Sequence, residues 1–367
     1  MFKPVNLLNI YAHDKLMGRM VLSAEKLCVF EYEPDYLANG FSLSPFHLPL
    51  NPGALTSRRD PFNGLFGLFN DSLPDGWGNL LIDRFLLSEN IQPNSLSVLD
   101  RLSMVGKSGR GILSYEPEHD SKFEKQIDDL NLLAAEVQKI LAETKYESGM
   151  LNQLINMGGS SGGARPKAML TIDGKAWIVK FKSSYDPENI GKIEYQYSLI
   201  AKQCGIEMPE TQLLEGKYFA VKRFDRDGEN RIHIHSASGL LYADHRFPSL
   251  DYVDLIKATF VLTKNIEEAY KLFRLMVFNI FTGNKDDHAK NFSFIVKDKH
   301  WLLSPAYDLV PSEGFNGNHS TTILGKGNVD KNDIWEVAKT CSLNQKKTQQ
   351  IFDEVFVNCR EIRVGNW

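Results

Sequence analysis

Over the first fifty residues, short apolar runs at residues 6–11, 18–22 and 27–32 alternate with polar and Gly/Pro punctuation. That pattern predicts a small antiparallel sheet. After Pro61 it turns helical, over residues 79–86 and again near 96–104. Ile127, Leu130, Leu133, Ala134, Val137 and Leu141 recur at helical spacing and predict a helix over residues 126–144. Apolar runs at 168–172 and 177–181 flank Asp173-Gly174, a strong two-residue hairpin signal. A helix over about 188–204 closes on Gly205, and residues 213–215 and 218–224 predict a second hairpin. His233 and His235 alternate as on a strand, which puts both imidazoles on one face, read here as a polar face rather than a zinc site. From Asp251 the chain is largely helical, and residues 266–282 carry an apolar stripe wide enough for a buried helix. Residues 312–328, rich in Gly, Asn and Ser, predict a mobile segment. Ser342 with Gln345 three residues on predicts a capping box for the last helix.

The length of 367 residues suits two or three domains, and 43% hydrophobic with 24% charged residues is a globular composition. A net charge of -4 gives no global electrostatic case for nucleic acid, so any DNA contact is expected to be local or carried by a partner. Cys28, Cys204, Cys341 and Cys359 are scattered without a CxxC pair, which fits a reducing cytoplasm. The start lacks an apolar signal core, and no apolar run approaches the ~18 residues of a membrane span. No membrane association is expected.

The chemistry concentrates at Asp286-Asp287-His288-Ala289-Lys290-Asn291 and at Asp308. Phosphoryl transfer needs a carboxylate to orient and deprotonate the attacking hydroxyl, and oxygen ligands for the magnesium that screens the triphosphate. A kinase catalytic loop supplies Asp, four residues, then Asn, with a metal-binding Asp at the end of a later strand. Asp286 and Asn291 have that separation; Asp287 competes for the base role but lacks the spacing. Residues 292–303 read as a tight hairpin whose open end would bring Asn291 and Asp308 side by side. A single Asp or Asn in a turn is ordinary. Three of them in this register point to a site.

Residues 157–167, Met-Gly-Gly-Ser-Ser-Gly-Gly-Ala-Arg-Pro-Lys, form a loop whose backbone can approach phosphates closely. It is not a Walker motif, because Ala164 stands where Lys is required. Ser160, Ser161, Gly162 and Gly163 are its candidate nucleotide contacts. Lys180, inside the following hairpin, is read as a cation reaching the α- or β-phosphate. Glu194 is a candidate ion-pair partner for Lys180, and equally a solvated helix-face carboxylate. The strand over 220–224, with Lys222 and Phe224, offers backbone groups to adenine. Gly106-Lys107-Ser108 looks like the tail of a P-loop, but Arg101 occupies the position of the required first glycine, so it reads as a structural turn.

These motifs together resemble the HipA family of bacterial toxin kinases. The likeness rests on residues 158–167, on Val221-Lys222-Arg223-Phe224-Asp225-Arg226, on His288-Ala289-Lys290-Asn291-Phe292-Ser293, on Ser304-Pro305-Ala306-Tyr307-Asp308, and on Leu73-Pro74-Asp75-Gly76-Trp77. It implies an α+β, two-lobed protein-kinase-like fold related to lipid kinases, with a β-rich N-terminal subdomain and a mostly helical C-lobe. The expected divisions are 1–115, 116–228 and 229–367. The resemblance further implies Mg-ATP-dependent serine/threonine kinase activity of a toxin linked to persistence, acting on a translation protein such as an aminoacyl-tRNA synthetase. Asp286 would be the base, Asn291 and Asp308 the metal ligands, and His288 part of the nucleotide site. The implied partner is a helix-turn-helix antitoxin, through which DNA is contacted. Autophosphorylation is expected on Ser160, with Ser161 adjacent. Two other readings are a small-molecule kinase of related fold and a non-catalytic partner of a DNA-bound repressor.

Overall fold

The chain divides into two compact units, residues 1–191 with 212–233 and residues 192–211 with 234–367. A computed structural model describes residues 3–118, 129–143, 148–158 and 162–365.

In the first unit, β1 (Leu8–Ala12), β2 (Lys15–Leu22), β3 (Cys28–Tyr32), β4 (Ala54–Thr56) and β5 (Leu113–Glu116) make one antiparallel sheet in the order β4-β3-β2-β1-β5. Alternation drives it: Leu8, Ile10 and Ala12 on β1, and Cys28, Phe30 and Tyr32 on β3, are all buried. α1 (Pro34–Asn39), α2 (Gly67–Asn70), α3 (Gly76–Ser88) and α4 (Val98–Val105) are packed in along the same stretch. α5 (Leu130–Leu141) begins where Asp129 caps it, accepting the amides of Asn131 and Leu132. Of the helix expected over 126–144, residues 126–128 and 144 lie outside the described residues.

After α6 (Ser148–Gly158), β6 (Lys167–Ile172), β7 (Lys175–Lys180), β8 (Thr211–Leu214) and β9 (Tyr218–Lys222) form a second sheet, ordered β6-β7-β9-β8. Asp173 and Gly174 both have positive φ, 49° and 70°, as a type I′ hairpin turn demands. Trp77 and Leu81 of α3 share one core with Leu133 and Val137 of α5, Leu151 and Leu154 of α6, and Leu170, Trp177 and Val179 of the sheet. The helix that follows the Leu73–Trp77 motif is therefore part of the core behind the Gly-rich loop.

Two-residue strands β10 (Arg226–Asp227) and β11 (Asn230–Arg231) close the unit around buried Asp225. Its carboxylate accepts from Arg223 Nε and Nη2 at 2.9 and 2.8 Å, from Arg226 Nη1 at 2.7 Å and from the Gly111 amide at 2.9 Å. Arg226 and Arg231 in turn donate to carbonyls of Lys107, Gly109, Gly111 and Leu113. The P-loop-like turn thus aims its carbonyls at cations. It is built as the opposite of a phosphate nest.

The second unit holds α7 (Ile190–Gln203, all but its first two residues), β12 (His233–Ser236, all but its first residue), α8 (Ala237–Leu241), β13 (Leu250–Asp251), α9 (Tyr252–Thr263) and α10 (Ile266–Thr282). It continues with β14 (Ser293–Lys297), β15 (His300–Leu303), β16 (Thr321–Thr322), α11 (Lys331–Thr340) and α12 (Gln345–Asn358). α10 is buried from Leu272 to Thr282 at every position but Arg274, which agrees with its apolar stripe. β14 and β15 pair from Phe294↔Leu303 to Lys297↔His300, and Asp298 and Lys299 at φ 49° and 61° make the turn.

Three local expectations change. His233 and His235 are 3% and 0% exposed, so they lie in the interior and not on a polar face; His233 Nε2 sits 2.9 Å from the Leu43 carbonyl. The last helix is capped by Asn344, which accepts the Lys347 amide, while Ser342 turns left-handed at φ 52°. An equally good capping residue nearer the helix wins. Residues 312–328 are not loose throughout, since Ser320 and Thr321 donate their amides to Asp287 and Lys285 Nζ donates to Gly317 O. No helix among the described residues is long and apolar enough to cross a membrane.

Asp225 is the clearest stability test of this frame. Burial alone would raise its pKa, but Arg223, Arg226 and the Gly111 amide hold it down, to about 2 from the ordinary 3.8. The folded value lies below the unfolded one, so the stability it adds is present above pH 3.8 and is lost as the pH falls through about 2. Asp225→Ala leaves buried guanidinium groups uncompensated. We expect it to cost about 3–5 kcal/mol in urea unfolding at pH 7, and a loss below about 1 kcal/mol would mean the cluster is worth no more than a surface pair.

Candidate active site

In the second unit, α10 ends at Gly283, left-handed at φ 64°, and releases the chain into the loop carrying Asp286, Asp287, His288 and Asn291. The two adjacent aspartates part company. Asp286 is exposed, whereas Asp287 is 0% exposed and fully engaged. Its Oδ2 accepts from the Tyr252 hydroxyl at 2.7 Å and from His319 Nδ1 at 2.8 Å, and its Oδ1 accepts the Ser320 and Thr321 amides at 2.9 and 3.3 Å. The Thr321 hydroxyl donates to its carbonyl. Asp287 is therefore a structural anchor and cannot reach a substrate.

From Tyr252 the polar chain runs on inside the unit. Asn279 Nδ2 donates to the Tyr252 hydroxyl at 3.0 Å, Asn284 Nδ2 donates to Asn279 Oδ1 at 3.1 Å, and the same amide lies 3.4 Å from the Asp308 carbonyl. Asn279 and Asn284 are both 2% exposed. Asp308 itself is left-handed at φ 55°, a conformation that Asp tolerates better than most residues and that concentrates at functional sites. Across the hairpin, the Tyr307 hydroxyl donates to Lys290 O at 2.7 Å and meets Ser293 Oγ at 2.5 Å. The neighbours of Asn291 and Asp308 are thereby tied at the open end of β14–β15.

Asn291 Nδ2 donates to the Asp286 carbonyl at 2.7 Å, which fixes the orientation of the amide. His288 is half-buried and stacks edge-on against His245, with ring centroids 5.9 Å apart. Glu194 is buried on α7.

The first unit holds the residues expected to meet phosphate. Ser160 and Ser161 lie outside the described residues; Gly162 and Gly163 precede β6, and Gly163 is left-handed at φ 87°. Lys180 ends β7, and the register pairs it directly with Lys167, so the two lysines lie on one face of the sheet at the loop end. Lys167 is 5% exposed and donates to the Gly162 carbonyl. Sequence reading missed Lys167, although the hairpin register about Asp173-Gly174 contains it. Lys222 ends β9, an interior strand, and Arg223 donates its amide to Ala176 O at 2.8 Å. Backbone groups offered to adenine by the segment through Phe224 must therefore lie outside these ladders. The supporting residues Tyr252, Asn279, Asn284 and His319 were also missed; the one signal was a pair of asparagines in and just after an apolar helix.

The chain is similar to two family models, the HipA N-terminal domain over residues 8–116 and the HipA-like C-terminal domain over residues 159–362. A putative kinase, Y4dM, of Sinorhizobium fredii is 30% identical over 200 residues, 47% of this chain and 48% of that protein, so the match spans about half of that relative's length. The serine/threonine-protein kinase toxin HipA of Shewanella oneidensis is 25% identical over 339 residues, 83% of this chain and 74% of that protein. The solved complex of Shewanella oneidensis HipA with HipB and its operator DNA matches with a TM-score of 0.71 at 19% identity, covering 97% of this chain and 89% of that one. The fold is the α+β fold of that kinase.

The split between the paired aspartates is open to measurement. Asp287→Asn puts an amide N–H where the carboxylate accepts from Tyr252, His319 and two backbone amides, and we expect a loss of roughly 1–3 kcal/mol in denaturant unfolding. Asp286→Asn, on an exposed side chain, should stay within about 0.5 kcal/mol of the parent. Equal effects of the two would contradict the anchor role of Asp287.

Proposed function

Because the chain belongs to the HipA-like family, whose C-terminal domain model covers more than half of it, we propose that it is a Mg-ATP-dependent protein serine/threonine kinase acting as the toxin of a toxin–antitoxin pair. One observation carries the reading. A buried hydrogen-bond chain runs from Asp287, next to Asp286, through Tyr252, Asn279 and Asn284 to the Asp308 backbone, and Asn291 donates to the Asp286 carbonyl, which supports reading Asp286, Asn291 and Asp308 as one site.

The residues fit the cofactor. Asn291 Oδ1 and the Asp308 carboxylate are hard oxygen donors, and magnesium is commonly held by one or two side chains together with phosphate oxygens and water. When bound, the ion screens the negative charge of the triphosphate. Asp286, exposed at the loop surface, accepts the proton of the attacking Ser or Thr hydroxyl. As the new bond from that oxygen to the γ-phosphorus forms, the bond from phosphorus to the bridging oxygen breaks and ADP leaves. Lys167 and Lys180 lie directly opposite each other across β6 and β7, and in this reading they are the cations that serve the phosphates.

We assign the substrate to proteins of translation, such as an aminoacyl-tRNA synthetase, and the partner to a helix-turn-helix antitoxin that carries the contact to DNA. The fold likeness to a HipA bound with HipB and operator DNA supports the second assignment. The working divisions are 1–115 as the N-terminal module, 116–228 as the small lobe and 229–367 as the C-lobe, in the cytoplasm. Self-phosphorylation at Ser160 or Ser161 belongs to the same reading: a phosphate there adds nearly two negative charges to the nucleotide loop and opposes ATP binding.

The test is incubation of the purified chain with Mg-ATP, alone and with host lysate, read by intact mass and peptide mapping. We expect phosphate on Ser160 or Ser161 or on a lysate protein, with Asp286→Ala reducing the rate at least ~100-fold. Asp308→Ala should abolish transfer, and Lys180→Ala should raise the KM for ATP. Normal phosphorylation by either aspartate variant would reject the site assignment.

A further inference from the structure

The Gly-rich loop leaves α6 at Gly158 and enters β6 at Lys167, and both stems meet one indole. Trp77, 0% exposed, donates Nε1–H to Lys167 O at 3.0 Å. The same nitrogen lies 3.1 Å from where a Cβ on Gly158 would stand. One residue earlier, a Cβ on Gly76 would lie 3.1 Å from both Cα and Cβ of Ala164, so the loop rests on bare backbone. One residue earlier again stands Asp75, at the N-cap of α3. An N-cap Asp usually accepts an amide of its own helix. This one makes no such bond; its Oδ2 accepts the Gly163 amide instead, at 2.9 Å. Arg110, which donates to Asp71 O at 2.8 Å, brings Nη1 within 3.1 Å of the Cβ position of Gly162.

We propose that Asp75-Gly76-Trp77, with Arg110, is a positioning brace that holds residues 162–167 in the shape that accepts nucleotide, so that the N-terminal module sets the affinity for ATP. The inference rests on the reading of this loop as the phosphate-binding element. A glycine-rich segment loses much conformational freedom when ordered. Fixing it before the ligand arrives removes that cost from binding. Without the brace only a fraction of molecules have a competent loop, and the apparent dissociation constant rises by the inverse of that fraction. Asp75 acts through Gly163 and touches neither nucleotide nor acceptor.

The experiment compares the full chain with Asp75→Ala, Asp75→Asn and Gly76→Ala, using calorimetric binding of Mg with a non-hydrolysable ATP analogue, steady-state kinetics, and hydrogen exchange at residues 162–167 without nucleotide. Asp75→Ala should exchange faster at Gly163 and raise both the analogue Kd and the KM for ATP by ~10-fold, the result of a loop competent in a tenth of molecules. Its kcat at saturating ATP should stay within about twofold, since the brace contributes nothing specific to the transition state. Asp75→Asn keeps an acceptor oxygen and should restore most of the affinity; Gly76→Ala, which crowds Ala164, should weaken it. Faster exchange with unchanged Kd, or a lower KM in Asp75→Ala, would overturn the brace, the latter because the carboxylate would then be competing with phosphate for the Gly163 amide. A parent chain that binds no analogue, with exchange at Gly163 still dependent on Asp75, would instead reject the phosphate-loop reading and the proposal with it.

Discussion

A carboxylate with no exposure to water must have its lone pairs filled, and Asp287 meets that requirement with four donors drawn from two separate stretches of chain. The consequence reaches well past one residue. To supply those donors, Tyr252 must open α9, His319 to Thr321 must fold back over the loop, and the loop itself must run so that Asp287 points inward. Asp286, next to this buried carboxylate, is exposed, so the two neighbouring aspartates have opposite surroundings.

The same chain of bonds reaches from Asp287 to the backbone of Asp308. Asn279 sits in a helix otherwise filled with apolar side chains, at a place where an unpaired amide would be costly. It is tolerated because it accepts from Asn284 and donates to Tyr252, and Asn284 then reaches the Asp308 backbone. Asp308 is held in a left-handed conformation by a network set up some twenty residues earlier in sequence. Hydrogen-bonded polar groups in a dry interior rigidify what they touch, although Asn284 Oδ1 is left without a partner here.

Much of this was legible from residue order. The hairpins at Asp173-Gly174 and Asp298-Lys299 and the buried helix that ends at Gly283 followed from periodicity and turn chemistry, and the α+β class from the resemblance to the HipA family. What escaped was whatever depended on a partner far away. Ser342 lost the cap to Asn344, because two good caps two residues apart are separated only by where the helix axis must lie. His233 and His235 looked like a polar face, because alternation fixes which side a residue takes and not whether that side is wet. Lys167 was hidden by its own sequence context, as the last residue of a loop, until the register set it opposite Lys180.

Two glycine-rich turns in this chain show why composition alone does not identify a phosphate site. Around Gly106 to Gly111 the carbonyls converge on Arg226 and Arg231, and the Gly111 amide is taken by Asp225. At Gly162 and Gly163 the Gly162 carbonyl accepts from Lys167, the Gly163 amide donates to Asp75, and Lys167 and Lys180 pair across β6 and β7. The carbonyls of the first turn are taken up by Arg226 and Arg231, and Arg226 is paired in turn with Asp225. The two turns differ in their neighbours, arginines at one and a lysine pair with a carboxylate at the other, and these neighbours, more than the glycines, distinguish them.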